Sequence, residues 1–557
     1  MEKHYYFDRN LLALSAHNNM LCSKLSSALT TLERYRFIEG KDGALIPAWV
    51  DANGTAHTLH SLISPEREAE KITASICSEG YIILFGLGAG FVAQAALKKN
   101  NVEKLLVIDY DIDGIAELLC SKEYIELFSD PRFSLLVDAK YNDIVSYILE
   151  NYMPCLHNGI RVIPLRARCD FDEEHFLPAA DAVRSAINRV SQDYSVQAYF
   201  GLRWFSNIVR NITSAEAQQG FIPPVRNAAI CAAGPSLDIQ LELLQKKQNE
   251  LFIIATDTAL GSLIAAGIKP NAVISIDCQH ISYLHFMYNG FNRLSKIPLF
   301  LDLASPPLLT EASEKSFFFS SGHPLSRYIS LVFKDLISID TSGGNVSYAA
   351  VSLAEKLGAK KIELYGADFA YPEGITYTKG AYFYPYLQKR ATRFNPSVSQ
   401  AADFLFKNST LKKTITKNSY YYETNSLASY REKIEEQACK SEAQIIHIAG
   451  QGAPVNIPLK PKTISLNNVT KVFFGGKTRT SAASFLCDYK AKIASLPLLK
   501  GSVSEYIFML GQDERLVWTT LIPVAAALKQ REKINSANIL VERIKSFCIA
   551  EIERTSR

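Results

Sequence analysis

The sequence predicts an α/β protein: two successive Rossmann-like, doubly wound parallel-sheet domains followed by a helical C-terminal module. Three observations carry this. Short apolar runs of strand length alternate with helical stretches on both sides of residue 222. Two of those runs are followed at once by glycine-containing turns, Gly86-x-Gly88-x-Gly90 and Ala233-Gly234-Pro235-Ser236. From residue 482 onward, apolar and charged positions alternate at helical spacing.

A chain of 557 residues is too long for one ordinary domain, and about three is the expectation from length. With 48% hydrophobic and 21% charged residues it has the balance of a globular protein with ample core. A net charge of +4 is mild and gives no case for a nucleic-acid footprint, which would need a clustered basic face. The ten cysteines are scattered without a C-x-x-C pair, which fits reduced core thiols better than a disulfide framework or a zinc site. The start, MEKHYYFDRN, lacks the basic-then-apolar run of a signal peptide. The most apolar stretch, Tyr81 to Leu97, is short and interrupted by glycine, so it reads as a buried strand-loop-helix and not as a membrane span. A cytoplasmic protein without a membrane partner is expected.

Residues 1–75 form an N-terminal mixed segment, with a helical stretch from Leu11 to Tyr35 and strand-like pieces at Ala44–Pro47 and Thr55–His60. The first Rossmann-like domain, 76–222, opens on Tyr81–Phe85, a continuous apolar run as in a strand buried on both faces. Strand Lys104–Ile108 ends on Asp109; helix Ile112–Leu119 and strand Phe133–Val137 continue the alternation. Residues 165–220 read as helical and carry Trp204 and Asn207 up to the break at Pro223-Pro224. In the central domain, 223–455, strands are expected at Ala228–Cys231, Leu251–Thr256, Ala272–Ile276, Leu299–Asp302, Ser316–Phe319 and Lys361–Tyr365. Residues 456–557, entered through Pro458 and Pro461, form the helical module.

Four constellations carry possible chemistry. In the first, glycines 86, 88 and 90 allow close approach of a ligand to a helix start, and Asp109 is placed to bind ribose hydroxyls. The spacing suits a dinucleotide or an S-adenosylmethionine pocket, and equally a tight packing turn that binds nothing. In the second, Gly234 lets backbone approach phosphate, Pro235 fits a first helical turn, and Ser236 with the helix amides supplies donors to an anion. It is matched by a second loop, Thr341-Ser342-Gly343-Gly344-Asn345, before another helix. Two such loops at the carboxyl edge of one sheet favour a nucleotide site over packing alone. Third are acidic residues at strand ends, Asp257, Asp277, Asp302 and Asp368, each weighed against helix capping, which suits Asp257. No D-x-D motif sits at a strand end in the central domain, so no residue is assigned to a metal, and a divalent ion is left open. Fourth is the aromatic and basic stretch Tyr371–Arg393, with Tyr377, which reads as a flap over a site or as a solvated loop.

The motifs Leu59-His60-Ser61, Phe85 to Gly90, Gly234-Pro235-Ser236-Leu237, Ile276-Asp277 and Thr341 to Val346 with Gly366-Ala-Asp368-Phe resemble the motility-associated factor (Maf) family of flagellin glycosyltransferases over most of the chain. The paired motifs are also similar to bacterial sialyltransferases that use CMP-activated nonulosonic acids. The central domain is similar to 6-hydroxymethylpterin diphosphokinases of the MptE-like type. The resemblance implies transfer of a sialic-acid-like sugar from a CMP donor to Ser or Thr of flagellin. Gly234, Pro235, Ser236, Asp257 and Thr341 to Asn345 would then hold the nucleotide sugar, and Asp277, Asp368 and Tyr377 are the catalytic candidates. The chain departs from the sialyltransferase pattern because it has no histidine between His323 and His447, and His447 sits in an apolar run as a core residue would. A carboxylate, a flap tyrosine or His323 is the remaining source of a general base. Three other readings stay open: an ATP- and metal-dependent pterin diphosphokinase, a flagellin-binding factor without catalysis, and a methyltransferase built on the first glycine-rich unit.

Overall fold

Apolar runs buried along their whole length, such as Tyr81–Phe85, become the inner strands of parallel sheets, as their continuous hydrophobicity requires. The computed structural model describes residues 2–15, 18–28, 34–51, 53–287, 296–407, 411–417, 419–458 and 472–555. The chain divides into two compact units, Met1–Gly201 with Ser495–Ser546, and Leu202–Ala494 with Phe547–Arg557. The division falls inside a 45-residue helix, Glu173–Ala217. The helices of the C-terminal region, Ala482–Ser495, Val503–Met509, Gln512–Glu532 and Ala537–Thr555, are shared between the two units.

In the first unit, strands β1 (Tyr35–Glu39), β2 (Leu45–Val50) and β3 (Ala56–Thr58) form an antiparallel sheet. The helix expected from Leu11 to Tyr35 is instead two helices, Glu2–Ser15 and Asn19–Ser26, and Tyr35 opens β1. The restart has a local cause: the Asn18 side chain accepts the amide of Leu21 and caps the second helix. A parallel sheet follows in the order β6-β5-β4-β7, from β4 (Tyr81–Phe85), β5 (Lys104–Asp109), β6 (Phe133–Val137) and β7 (Ile160–Pro164).

The second unit holds a seven-stranded parallel sheet. A short antiparallel pair, β8 (Gly220–Ile222) with β19 (Val472–Phe474), accompanies it. The sheet contains β9 (Asn227–Cys231), β10 (Phe252–Thr256), β11 (Ala272–Ser275), β12 (Leu299–Asp302), β13 (Ser316–Phe319), β14 (Lys361–Tyr365) and β18 (Gln444–His447). Its order is β13-β12-β11-β10-β9-β14-β18. The chain therefore builds outward from β9 in one direction through β13, then resumes on the other side of β9 with β14 and β18. Right-handed crossovers in opposite directions put their helices on opposite faces, so the order reverses between β9 and β14 and leaves a crevice at their carboxyl ends. Helix Val346–Lys356 belongs to the face whose core includes Ile230, Ile254, Ile362 and Ile445. Between β14 and β18 the chain makes a small antiparallel sheet of β15 (Tyr371–Pro372), β17 (Tyr420–Glu423) and β16 (Lys412–Ile415). The six strands expected in this domain are present to within two residues, and β18 was not foreseen.

Candidate functional site

The loop after β9 is held shut by the loop after β14. The amide of Ser236 donates to Asp368 Oδ2 at 2.8 Å, and its hydroxyl donates to Asp368 Oδ1. Gly234 N–H donates to the Gly366 carbonyl at 2.8 Å, and a side chain at Gly234 would run into the Asp368 carboxylate. The loop after β18 joins them: the Gln451 amide donates to Ser236 Oγ at 2.7 Å, and that of Ala453 to the Asp368 carbonyl at 2.9 Å. Gln240, on helix Leu237–Lys247, accepts the Gly366 amide at 2.7 Å and donates to the carbonyls of Ile448 and Ala449 at 3.0 Å. Three strand-end loops thus form one hydrogen-bonded floor at the reversal point of the sheet.

This corrects two expectations. Ser236 and the amides of the Gly234-Pro235-Ser236 loop are not donors waiting for an anion. Ser236 is buried, and the amides of Gly234, Ser236, Leu237 and Asp238 all have partners inside the protein. Asp368, expected as a catalytic carboxylate, is likewise engaged inside the protein, with both oxygens accepting from Ser236. Its burial nonetheless pushes its pKa up, against the lowering effect of those hydrogen bonds.

The second loop is more open. Asn345 caps helix Val346–Lys356 by accepting the Tyr348 amide at 2.9 Å; Gly344 closes a turn with its amide on the Thr341 carbonyl at 3.0 Å. Its φ of +75° is one that glycine adopts without strain. Gly343 packs on the Tyr348 ring, the Ser342 amide donates to Asp340 Oδ1, and Lys433 donates to the Ser342 carbonyl. Ser342 and Gly344 are exposed. Because the helix packs on β9, β10 and β11 and runs toward β14, its first turn lies at the carboxyl ends of those strands. A groove of about 450 Å³ starts at Asp340 and Tyr348 but follows this helix to Lys360 and Ala443, away from the strand-end acids.

Those acids differ in state. Asp257 is buried and accepts from the Thr258 amide at 2.7 Å and from Ser275 Oγ at 2.6 Å, so it organises its own turn. Asp277 is half-buried, with Oδ1 accepting the Gln279 amide at 2.9 Å, and burial raises its pKa. Asp302 accepts the Ala304 amide at 2.8 Å and is pushed up to about 6 by burial. The backbone behind Asp277 is fixed by the long helix: Asn207 donates to the carbonyls of Cys278 and Ala304, and Asn211 to those of Leu303 and Ser305.

The tyrosine-rich segment docks on this edge. The Thr378 amide donates to the Ala233 carbonyl at 2.9 Å, and its hydroxyl donates to Asp238 and lies 3.0 Å from Ser262 Oγ. The Lys379 amide also donates to Asp238. Tyr377 lies within the electrostatic reach of Asp257; burial and that charge raise its phenol far above neutrality, so it keeps its proton. The Tyr382 ring stands edge-on to His285 at 4.3 Å, and His285 Nε2 is 3.4 Å from Thr258 Oγ1. His323 is no base here: its Nδ1 caps helix Pro324–Val332 through the Leu325 amide, and its ring packs on Trp204.

The structure also brings up residues that sequence reasoning passed over. His447 ends β18 half-buried, and its Nε2 lies 3.0 Å from the Ala367 carbonyl, next to Asp368. The apolar run Ile445-Ile-His-Ile hid it, although a histidine on the last residue of a strand points to the crevice as strand-end aspartates do. Gln240 and Asp238 were given no role of their own; their position in the first turns after Gly234 was the available signal.

The first glycine-rich turn has a different fate. Its sheet also reverses, between β4 and β7, and Arg168 from the segment after β7 fills that crevice. Arg168 is buried against Gly86 and pairs with Asp109 at 3.3 Å. The other Asp109 oxygen takes the Leu87 amide, and His60 takes that of Ala89. The protein's own side chains thus engage the strand-end carboxylate and two of the turn's amides.

A doubly wound sheet whose reversal-point crevice is floored by three strand-end loops defines a Rossmann-like protein with a candidate site at the carboxyl edge of the sheet in its second unit. Residues 203–374 match the family described as "6-hydroxymethylpterin diphosphokinase MptE-like". An uncharacterized protein of Treponema pallidum is 31% identical over 148 residues, which make up 26% of this chain and 70% of that protein. The chain belongs to one family with that protein. Two further uncharacterized proteins of the same organism match at 31% over 119 residues and 25% over 203; the matches span 42% and 34% of their lengths. The solved Maf glycosyltransferase from Magnetospirillum magneticum AMB-1 shares the fold at a TM-score of 0.63. That alignment covers 99% of this chain and 95% of that one at 13% identity. Among the described residues no helix is long and apolar enough to cross a membrane.

Proposed function

We propose that the chain is a protein O-glycosyltransferase that moves a nonulosonic, sialic-acid-like sugar from a CMP donor to Ser or Thr hydroxyls of flagellin. The observation that carries this reading is the second unit's carboxyl edge. There the loops after β9, β14 and β18 are tied into one floor at the β9–β14 reversal, and the tyrosine-rich segment docks on it through Thr378. The fold shared end to end with a Maf glycosyltransferase supports the same choice. On this reading Thr341 to Asn345 hold the nucleotide, and Asp277 receives its ribose hydroxyls with Asp257 fixing the turn beside it. Gly234, Pro235 and Ser236 act as the rigid wall behind the phosphate, held by Asp368. Tyr377 offers a hydrogen-bond donor to the leaving phosphate.

The test is incubation of the purified protein with a CMP-nonulosonate and flagellin, read by intact mass. Flagellin gaining the mass of the sugar supports the proposal, and unshifted flagellin with intact donor overturns it. Asp277→Asn and Ser342→Ala are expected to weaken CMP binding without lowering the melting temperature. The family description favours one rival, a pterin diphosphokinase. A melting shift with ATP and magnesium, and none with CMP, selects that rival, because a ligand of the native state raises its apparent stability.

A further inference from the structure

The insert between β14 and β18, Tyr371 to Thr424, carries eight Lys and Arg against three Asp and Glu, so its positive charge exceeds the +4 of the whole protein. All eight cations are exposed. The ion pair that the described residues form here joins Glu423 to Arg431 at 3.0 Å, and so takes up an acid of the insert and none of its bases. Exposed apolar side chains lie among these cations. On helix Ser397–Phe406, Val398, Ala402 and Phe406 recur at every fourth residue and share one face. Val398 is 78% exposed and Phe406 57%. The Phe406 ring meets that of Tyr422 at 5.5 Å, and Tyr422 stands opposite Lys413 where β17 pairs with β16. Two residues along β16, on the same side of the sheet, Ile415 is 78% exposed. Helix and sheet thus present one apolar strip, from Val398 over Phe406 and Tyr422 to Ile415, with Lys407 and Lys413 beside it.

An apolar centre with a charged rim is the anatomy of a protein–protein interface. The sign of the rim selects the partner: cations without counter-charges favour carboxylates, and they repel a second copy of the same surface. Nucleic acid would need aromatic faces open for its bases. Here the Tyr420 ring lies under Lys413 Nζ at 4.2 Å, and Tyr422 is met by Phe406. An anionic membrane fits less well, because a helix lying in the interface bears Lys or Arg on its polar face, and helix Ser397–Phe406 bears Asp403 and no base. The insert is also fixed to the candidate site. The Thr378 amide donates to the Ala233 carbonyl and the Lys379 amide to Asp238, so a partner docked on the strip is held by the segment that closes on the loop after β9.

We infer that this strip is where the protein acceptor docks, through an acidic segment whose apolar side chains cover Val398 and Phe406 and whose carboxylates meet Lys407 and Lys413. The inference rests on the glycosyltransferase reading, which requires a protein acceptor. Covering the exposed faces of Val398, Phe406 and Ile415 supplies the apolar gain, while the cations set orientation and speed the encounter.

The experiment follows steady-state transfer to flagellin by the wild type, by Lys407→Glu with Lys413→Glu, by Val398→Asp, and by Leu12→Asp, a comparably exposed position in the first unit. The expected result is a KM for flagellin raised about tenfold or more in the two strip variants and within about twofold of wild type in Leu12→Asp. CMP affinity should stay within about twofold in all of them. The wild-type KM for flagellin should also rise between about 50 and 500 mM salt, because the pairing is exposed, and the double variant should lose that rise. A KM within about twofold of wild type in both strip variants overturns the inference. So does a wild-type KM indifferent to salt, a readout that stands even if a variant fails to fold. Binding of the wild type to a single-stranded oligonucleotide, or to vesicles of about three parts phosphatidylcholine to one of phosphatidylserine, that the double variant abolishes while its KM for flagellin is unchanged gives the strip to that partner and overturns the inference as well. A wild-type protein that binds no CMP and transfers no sugar rejects the glycosyltransferase reading itself, a result distinct from a transferring enzyme whose KM for flagellin ignores the strip.

Discussion

Ser236 and Asp368 are 132 residues apart in sequence, yet the serine amide and hydroxyl both close on the one carboxylate, across the point where the sheet reverses its order. The pair ties the loop after β9 to the loop after β14. Ser236 Oγ in turn receives the Gln451 amide from the loop after β18.

A buried pair of this kind predicts non-additive substitutions. Ser236→Ala leaves Asp368 Oδ1 and the Gln451 amide unsatisfied and is expected to cost about 1–3 kcal/mol; Asp368→Ala removes the whole anchor and costs about 3 kcal/mol or more. The double variant should be little worse than Asp368→Ala alone, since both changes remove one interaction. Urea denaturation of the four proteins measures this, and strict additivity would show that the two residues act separately.

In the first unit, the buried pair of Asp109 and Arg168 predicts an absence of binding. With Arg168 set against Gly86 and Asp109 engaged by the Leu87 amide, neither an S-adenosyl nor a dinucleotide ligand should raise the melting temperature. Arg168→Ala strands a buried carboxylate and is expected to destabilise the protein by about 3–5 kcal/mol. A melting shift of several degrees with S-adenosylmethionine on the wild-type chain would sink the idea.

These two crevices show what the sequence made legible. Both glycine-containing turns follow buried strands and look alike as motifs, and both sheets do reverse beside them. Local pattern reveals the strand, the turn and the helix, because each depends on neighbouring residues. What fills the crevice comes from far along the chain: Arg168 after β7 in one case, Asp368 and Gln451 in the other. No periodicity announces such partners. The same limit explains β18. Its four residues, Gln444 to His447, form a short edge strand whose pairing with β14 depends on tertiary context, and without that pairing His447 reads as core.

The long helix Glu173–Ala217 ends on a buried cation. Lys334 Nζ donates to the carbonyls of Ala215, Glu216 and Gln218, at 2.6, 2.9 and 2.7 Å, where a helix leaves its last carbonyls without partners. Lys334→Met keeps the apolar stem but strands these acceptors, and is expected to cost about 2–4 kcal/mol. The loss should appear as a lower urea midpoint with an unchanged slope. An unchanged midpoint would mean that water replaces the ammonium without penalty.

Asp302, buried at the end of β12, gives stability a dependence on pH whose sign follows from its environment. Burial holds its carboxyl near a pKa of about 6, against an ordinary value near 4, while the Ala304 amide and Ser321 work the other way. A carboxyl that binds its proton more tightly when folded contributes stability while the native state is protonated, and that contribution is lost as pH rises from the unfolded value through the folded one. Asp302→Asn removes the titration and keeps an oxygen to accept the Ala304 amide. The variant should therefore gain on the wild type as pH rises, by about 1 kcal/mol between pH 5 and pH 8. Paired urea titrations at those two pH values measure the difference directly. A variant that gains nothing on the wild type between pH 5 and pH 8 would show that Asp302 is ionised in the folded protein across the whole range.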